Sequence, residues 1–196
     1  MIERATPPED TRTRLFVDRV FTVPGAGTVV TGTLTGGCLR VDDDVRVEPS
    51  GATARIRSLQ THKHDRREAC HVARVAANLP GIDRAPIGRG SVVTHPGAFA
   101  PTSVVDAVLR PVRGVDALPE RAAYLVHAGA AESAARLRVL ERRDDGSMLA
   151  RLRTDEAMVH DVGRCVSKAD HPSDGAEMLE ADATLPLTPA ERRALV

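Results

Sequence analysis

The stretch DRVFTVPGAGTVVTGTLTGG, Asp18 to Gly37, combines glycine, threonine and apolar residues in a way that first suggests a phosphate cradle. A P-loop requires G-x-x-x-x-G-K-[ST], in which the lysine reaches the terminal phosphates. Gly27 and Gly32 have that spacing, but Thr33 stands where the lysine is needed. A dinucleotide fingerprint, G-x-G-x-x-G opening a helix, fails too, because Gly25 and Gly27 are followed by Val30 at the last glycine position. Thr28, Val29, Val30, Thr31 and Thr33 are β-branched and favour an extended chain. The stretch therefore predicts strand, turn, strand, with Pro24 and Gly25 making the turn.

Working outward, short β-rich runs recur between Arg14 and Gly97: RLFVDRVF, GTVVTGTL, DDVRVEP, ARIRSLQ, HVARVAANL and GSVVTH. Their spacing predicts a barrel or sandwich. In ARIRSLQ, Ile56 and Leu59 are apolar while Arg55 and Arg57 alternate with Ile56, so one face packs and the other is basic. PGAFAPT, residues 96–102, reads as a linker. Beyond it, SVVDAVLRPV, AAYLVHAG, ARLRVLERR and SMLARLRT form a second all-β region, the last two joined by a turn at Asp145-Gly146. The boundaries expected are 12–98 and 101–185 for two consecutive β-barrels. In LTPAERRALV, Thr188 can cap, Pro189 suits the first helical position and Glu191 completes a capping box, so residues 186–196 predict the start of a short C-terminal helix.

The 196 residues carry 27 basic and 27 acidic side chains, so any basic surface must be local. Lys63 and Lys168 are the only lysines; the rest of the positive charge is arginine. Cys38, Cys70 and Cys165 are odd in number and far apart, without a C-x-x-C pair. That pattern argues against a zinc ribbon or a disulfide framework and for a reducing cytoplasm. No run approaches a membrane span, and the first residues have no apolar signal core, so a soluble cytoplasmic protein without membrane partners is expected.

His62 to His64, HKH, is the densest histidine group, and both rings would share one face of a strand. No further ligand stands at a telling spacing, so no metal site is expected. Catalytic signatures such as G-x-S-x-G and H-E-x-x-H are absent, and no catalytic residue is assigned. Asp18-Arg19 is more informative, because the pair interrupts the apolar strand LFVDRVF. A charge among Phe16, Val17, Val20 and Phe21 is costly unless paired or met by a ligand. Adjacent strand residues point to opposite faces, so only one of the two is expected to enter a given pocket. Arg74, in ARVAANL, has a similar context.

The segments DRVFTVPGAGTVVTGTLTGG, RVDDDVRVEP, ARIRSLQTH and ARVAANLPGIDRAPIGRGSVV together resemble the second domain of translational GTPases, and in wording the selenocysteine-specific elongation factors of bacteria. The resemblance covers residues 14 to 97 most closely, and LVHAGAAESAARLRVLE extends it towards the third domain. It implies an all-β chain of two β-barrels of the translation elongation factor type that grip selenocysteyl-tRNA for delivery to the ribosome. The first barrel would take the aminoacyl end, the second the acceptor and T-stem region. It further implies a selenocysteyl pocket at Asp18, Arg19 and Arg74. Arg55, Arg57, Lys63, Arg66 and Arg67 are the candidates for tRNA-backbone contacts, with Arg136, Arg138, Arg151 and Arg153 on a basic hairpin face of the second barrel. No cofactor is expected in this chain. GTP and Mg belong to the family's GTPase domain, a partner expected on a longer factor of which this chain would be a middle fragment. The chain departs from the family pattern at Asp43-Asp44, at Pro24 and in residues 160–182. An alternative reading is a protein-interaction or ribosome-docking barrel module without tRNA selectivity.

Overall fold

The computed structural model describes residues 12–111, 123–159, 164–168 and 178–182, and the chain divides into two compact units between Ala100 and Pro101. The first unit contains β1 (Arg14–Val23), β2 (Gly27–Thr35), β3 (Cys38–Arg40), β4 (Asp44–Glu48) and β5 (Ala52–Arg55). After these come β6 (Ser58–Thr61), β7 (His64–Arg66), β8 (Glu68–Cys70), β9 (Ala73–Leu79) and β10 (Val92–Thr94). Eight of them form one sheet in the order β5-β4-β10-β1-β2-β9-β6-β7, while β3 and β8 pair only with each other. Only Ile56 and Arg57 separate β5, at one end of the sheet, from β6 near the other, so the sheet must curl round to bring its ends together. Ile56 N–H donates to Asp43 O at 3.0 Å and Arg57 N–H to Asn78 O at 3.0 Å, splitting the expected single run ARIRSLQ into two strands.

The β1–β2 hairpin turns through Pro24, Gly25 and Ala26, as its composition predicts. Gly25 has φ +76°, a conformation that glycine adopts without penalty. The HKH segment differs from expectation. Thr61 pairs with His64, and His62 and Lys63 form the two-residue turn of the β6–β7 hairpin with φ 52° and 66°. A turn with both central residues at positive φ matches the twist of the flanking strands. The histidines are exposed and do not lie together on a strand.

The core of this unit is built from Leu15, Val17, Val30, Leu34, Ile56, Leu59, Val75 and Leu79, all essentially inaccessible. In β1 the inward alternation breaks: Leu15 and Val17 are buried, and the next residue packed on the core is Val20. The cause is a β-bulge, since Val17 pairs with Gly32 and Arg19 with Thr31, leaving Asp18 as the extra residue. Strict alternation would have aimed Arg19 at the core; the inserted residue sends both Asp18 and Arg19 to the outer side. The expectation that the two side chains must face opposite ways is thus overturned. Gly32 permits the bulge, because a Cβ there would lie 2.0 Å from Phe16 O.

Cys38 and Cys70 face each other across β3 and β8 and form a disulfide. This corrects the reading of the cysteines as unpaired. Sequence separation concealed the pairing, which is set by the β3–β8 register.

The second unit contains β11 (Thr102–Pro111), β12 (Ala123–Ala128), β13 (Ala131–Arg142), β14 (Met148–Met158), β15 (Arg164–Lys168) and β16 (Met178–Asp182). They close into a barrel in the order β11-β14-β13-β12-β15-β16, with β16 returning to β11. Leu109, Tyr124, Val126, Leu137 and Leu152 fill it. The β13–β14 connection turns at Asp145-Gly146, where Gly146 has φ +79° and Asp145 Oδ1 accepts from Ser147 N–H at 2.9 Å. The helix expected over 186–196 lies outside the described residues. Among the described residues, no helix is long and apolar enough to cross a membrane.

Gly32→Ala should therefore destabilise the first unit by more than about 2 kcal/mol, the range for backbone collision in a packed strand pair. Gly88→Ala, where a Cβ meets nothing within 4 Å, should be close to neutral. Urea midpoints of the two variants check this, and equal midpoints would show that β1 and β2 do not approach as described.

Candidate aminoacyl-end site and basic faces

Four neighbouring strands share one outer face, with the sequence-predicted pocket residues on β1 and β9. Arg19 on β1 is opposite Thr31 on β2, which is opposite Ala76 on β9, which is opposite Gln60 on β6. Phe21, Val29, Asn78 and Ser58 form the next outward row on the same strands. Arg74 sits one outward position from Ala76, opposite Thr33.

Asp18 joins this face together. Arg74 grips its carboxylate with both terminal nitrogens, Nη1 on Oδ2 and Nη2 on Oδ1 at 2.9 Å. Thr31 Oγ1 donates to Oδ1 at 3.1 Å. The hydrogen bond from Arg74 holds the Asp18 carboxyl below the usual carboxylate range. Partial burial opposes that shift, while the Thr31 hydrogen bond and the charges of Arg74 and Arg19 add to it. The same contact raises the Arg74 pKa. Arg19 is exposed and makes no side-chain hydrogen bond or ion pair among the described residues. The structure thus brings Asp18, Arg19 and Arg74 to one face, with Arg74 already balanced and Arg19 the available cation. Thr31 belongs to the same group and was not singled out from sequence; its β2 register opposite Arg19 is what places it there.

Beside this group lies a groove of about 360 Å³, bordered by Phe21, Val23, Ala26, Val29, Arg57 and Asn78 among others. Phe21 is 40% exposed, large for a phenylalanine. Asn78 is buried, and its Nδ2 donates to Ala26 O at 2.9 Å and Thr28 O at 3.3 Å, fixing the hairpin over the groove floor. Its Oδ1 has no hydrogen-bond partner among the described residues.

The candidate phosphate-binding residues are dispersed. Arg55 lies on the β4–β5 hairpin, where its Nε contacts Asp44 Oδ1 at 3.0 Å and its Nη2 Asp44 Oδ2 at 3.3 Å. Its charge is therefore balanced locally. Arg57 borders the groove. Lys63 is in the β6–β7 turn, and Arg66 on the same hairpin donates from Nε to Thr61 Oγ1 at 3.4 Å. Arg67 follows, exposed. In the second unit the expected basic face forms, for Arg136 pairs across the strands with Arg153, and Arg138 with Arg151. Asp106 on the adjoining strand accepts Arg151 Nε at 2.7 Å and Nη2 at 2.9 Å, breaking the row of like charges.

Comparison with known proteins places this geometry in a class. Residues 27–94, within the first unit, match the family described as elongation factor Tu domain 2. More specifically, the chain is similar to selenocysteine-specific elongation factors. It is 38% identical to that of Desulfomicrobium baculatum over 130 residues, 66% of this chain and 20% of the relative. It is 33% identical to elongation factor 1-alpha of Archaeoglobus fulgidus over 71% of this chain and 34% of the relative. It therefore spans between a fifth and about a third of the length of these relatives. The crystal structure of a bacterial selenocysteine-specific elongation factor, EF-Sec, superposes with a TM-score of 0.74 at 26% identity, over 88% of this chain and 28% of that one. Elongation factor SelB of Methanococcus maripaludis shares the fold, with a TM-score of 0.79 at 19% identity over 92% of this chain and 44% of that one.

Two outcomes follow from the ion pairs. Asp18 has a depressed folded pKa, so the stability it contributes is complete above its unfolded value near 4 and is lost as pH falls below it. Arg74→Ala should lower stability by about 1 kcal/mol or less at neutral pH, since Arg74 is half-exposed, and the difference should vanish in acid. Urea titrations at several pH values test this, and a pH-independent difference would show that Arg74 acts through packing alone. In the second unit, Asp106→Asn should cost about 1 kcal/mol at low salt by leaving Arg151 among like charges, with the loss shrinking as salt screens them. A loss insensitive to salt would refute the electrostatic account.

Proposed function

We propose that this chain supplies the tRNA-binding barrels of a cytoplasmic, selenocysteine-specific elongation factor. On this reading the outer face of the first unit receives the aminoacyl end of selenocysteyl-tRNA, and the second unit lies along the acceptor and T-stem region. Delivery to the ribosome is the outcome, and GTP binding and hydrolysis belong to a separate domain of such factors.

The observation that carries the reading is the unpaired Arg19 beside the Asp18–Arg74 pair, next to the groove that Phe21 borders. A selenol ionises more readily than an alcohol and is largely anionic at neutral pH. A cation on this face discriminates selenolate from a neutral seryl hydroxyl by charge, because the wrong substrate leaves the cation without a partner. Asp18 keeps Arg74 from collapsing onto other acceptors, so the two guanidinium groups remain on one side of the sheet. The groove, with its exposed Phe21 ring, suits the terminal nucleotide that carries the ester. Backbone phosphates of the tRNA would meet Arg57, Lys63, Arg66 and Arg67 and, on the second unit, Arg136, Arg138 and Arg153, in all cases with strong salt dependence.

The test is a titration of this chain with selenocysteyl-tRNA and with seryl-tRNA on the same tRNA body. Selenocysteyl-tRNA should bind more tightly, and Arg19→Ala should erase most of that preference while leaving seryl-tRNA binding nearly unchanged. Equal binding of both by the unaltered chain would reduce the reading to a general tRNA surface. If neither bound, even with the GTPase domain supplied, the barrels would be a docking module.

A further inference from the structure

We propose that Cys38–Cys70 is a thiol–disulfide exchange site for a dithiol reductant, and that its oxidation state sets how firmly the Arg74 end of β9 is held. The two cysteines are direct partners across β3 and β8. Among the described residues these strands pair with no other strand, so this short ribbon has no share in the ladder of the main sheet. Besides the disulfide, it is tied by Val41 N–H to Arg67 O at 2.9 Å, by the Arg40–Glu68 ion pair at 2.5 Å, and by burial of Leu39 and Ala69.

The ribbon's position gives the bond its reach. β3 follows β2 across Gly36 and Gly37, and β8 leads into β9 through His71 and Val72. The last register pairs between β2 and β9 on this side are Thr33 with Arg74 and Leu34 with Ala73. The disulfide therefore clamps together the ends of the two strands that carry Thr31 and Arg74, both of which hold Asp18. Opening the bond leaves that end secured by the last β2–β9 pairs, the three-residue ribbon and its hydrogen bonds, including Thr13 Oγ1 to Cys38 O at 3.1 Å, and the strand end frays more often.

Exposure sets the direction of exchange. Cys70 is exposed and Cys38 half-buried, so a thiolate of the reductant attacks Cys70 Sγ. The S–S bond breaks, its electron pair passes to Cys38 Sγ, and water supplies the proton that completes the Cys38 thiol. The second thiol of the reductant then attacks the mixed disulfide, releasing Cys70, which takes the second proton, and leaving the reductant oxidised by two electrons. The Glu68 carboxylate lies within 4.8 Å of both sulfurs, where its charge opposes the departing thiolate. Arg40 moderates that effect through its ion pair with Glu68.

The experiment alkylates the full chain, purified without reductant and again after dithiothreitol, and locates the modified cysteines by mass spectrometry. Cys38 and Cys70 should be protected at first and alkylated afterwards; free alkylation of both at the outset overturns the proposal. Amide exchange over residues 73–79 is then compared for the oxidised chain, the reduced chain and the Cys38→Ser, Cys70→Ser double variant. Exchange should be about tenfold faster in the last two, as expected when a strand end begins to open locally. Identical exchange in all three would refute the coupling to β9. Glu68→Gln should speed reduction severalfold, and an unchanged rate would remove Glu68 from the exchange step. Any consequence for ligand affinity rests on the functional reading above. If tRNA fails to bind in every form while exchange still responds to reduction, that reading falls and this one stands.

Discussion

The β-bulge at Asp18 is the constraint on which the first unit depends. A period-two strand beginning with Leu15 and Val17 inward would bury Arg19, and an unpaired guanidinium in an apolar core costs several kcal/mol. One extra residue moves the phase, so Val20 fills the core position and two charged residues share the solvent side. The bulge needs the partner strand to come close, which only glycine allows at Gly32, where the β1 carbonyl of Phe16 occupies the space of a side chain. Backbone geometry, core packing and the charged face are therefore one decision. Thr31, the residue next to Gly32, is consequently the one aligned to hydrogen-bond Asp18.

A common electrostatic arrangement runs through both units. In each, one carboxylate on an outer sheet face grips an arginine with two bonds: Asp18 with Arg74 in the first and Asp106 with Arg151 in the second. Each carboxylate balances one arginine and leaves neighbouring ones uncompensated, Arg19 in one unit and Arg136, Arg138 and Arg153 in the other. The total charge of zero conceals this, because balance over the chain says nothing of balance on a face. On these faces arginine's rigid fork favours defined partners over diffuse attraction.

What the sequence made legible follows from how local each determinant is. The β1–β2 and β13–β14 turns were readable because Pro24-Gly25 and Asp145-Gly146 carry their turn chemistry within a few residues. The basic hairpin of β13 and β14 was readable from its turn and alternating arginines, although a β-bulge between Val139 and Glu141 resets the register before the arginine pairs. The bulge was not, because it is a relation between two strands, and β1 alone shows only a charged interruption. The β6–β7 turn was hidden, because neither His62 nor Lys63 is the glycine or asparagine that usually marks a two-residue turn with positive φ. The disulfide was hidden because its partners meet only after β4 to β7 have folded back between them. Arg55 looked like a phosphate ligand until its strand register placed it opposite Asp44.

The distance between groove and charged group gives the proposed site its logic. Outward-facing residues on a strand recur every second position, about 7 Å apart at the usual rise per residue. Phe21 and Val29 line the groove, and Arg19 and Thr31 stand one such step away on the same two strands. A nucleotide seated against Phe21 would carry an ester-linked side chain across about one row, which is the reach of a short amino acid. Phe21, Val23, Ala26 and Val29 give the groove its apolar border, and Arg57, Ser58, Gln60 and Asn78 its polar one. On the proposed reading, discrimination falls to the neighbouring row, where Arg74 is already satisfied by Asp18 and Arg19 is not. Affinity and selectivity are thus assigned to adjacent rows of one sheet, and the bulge that separates Val17 from Val20 is what makes the second row charged.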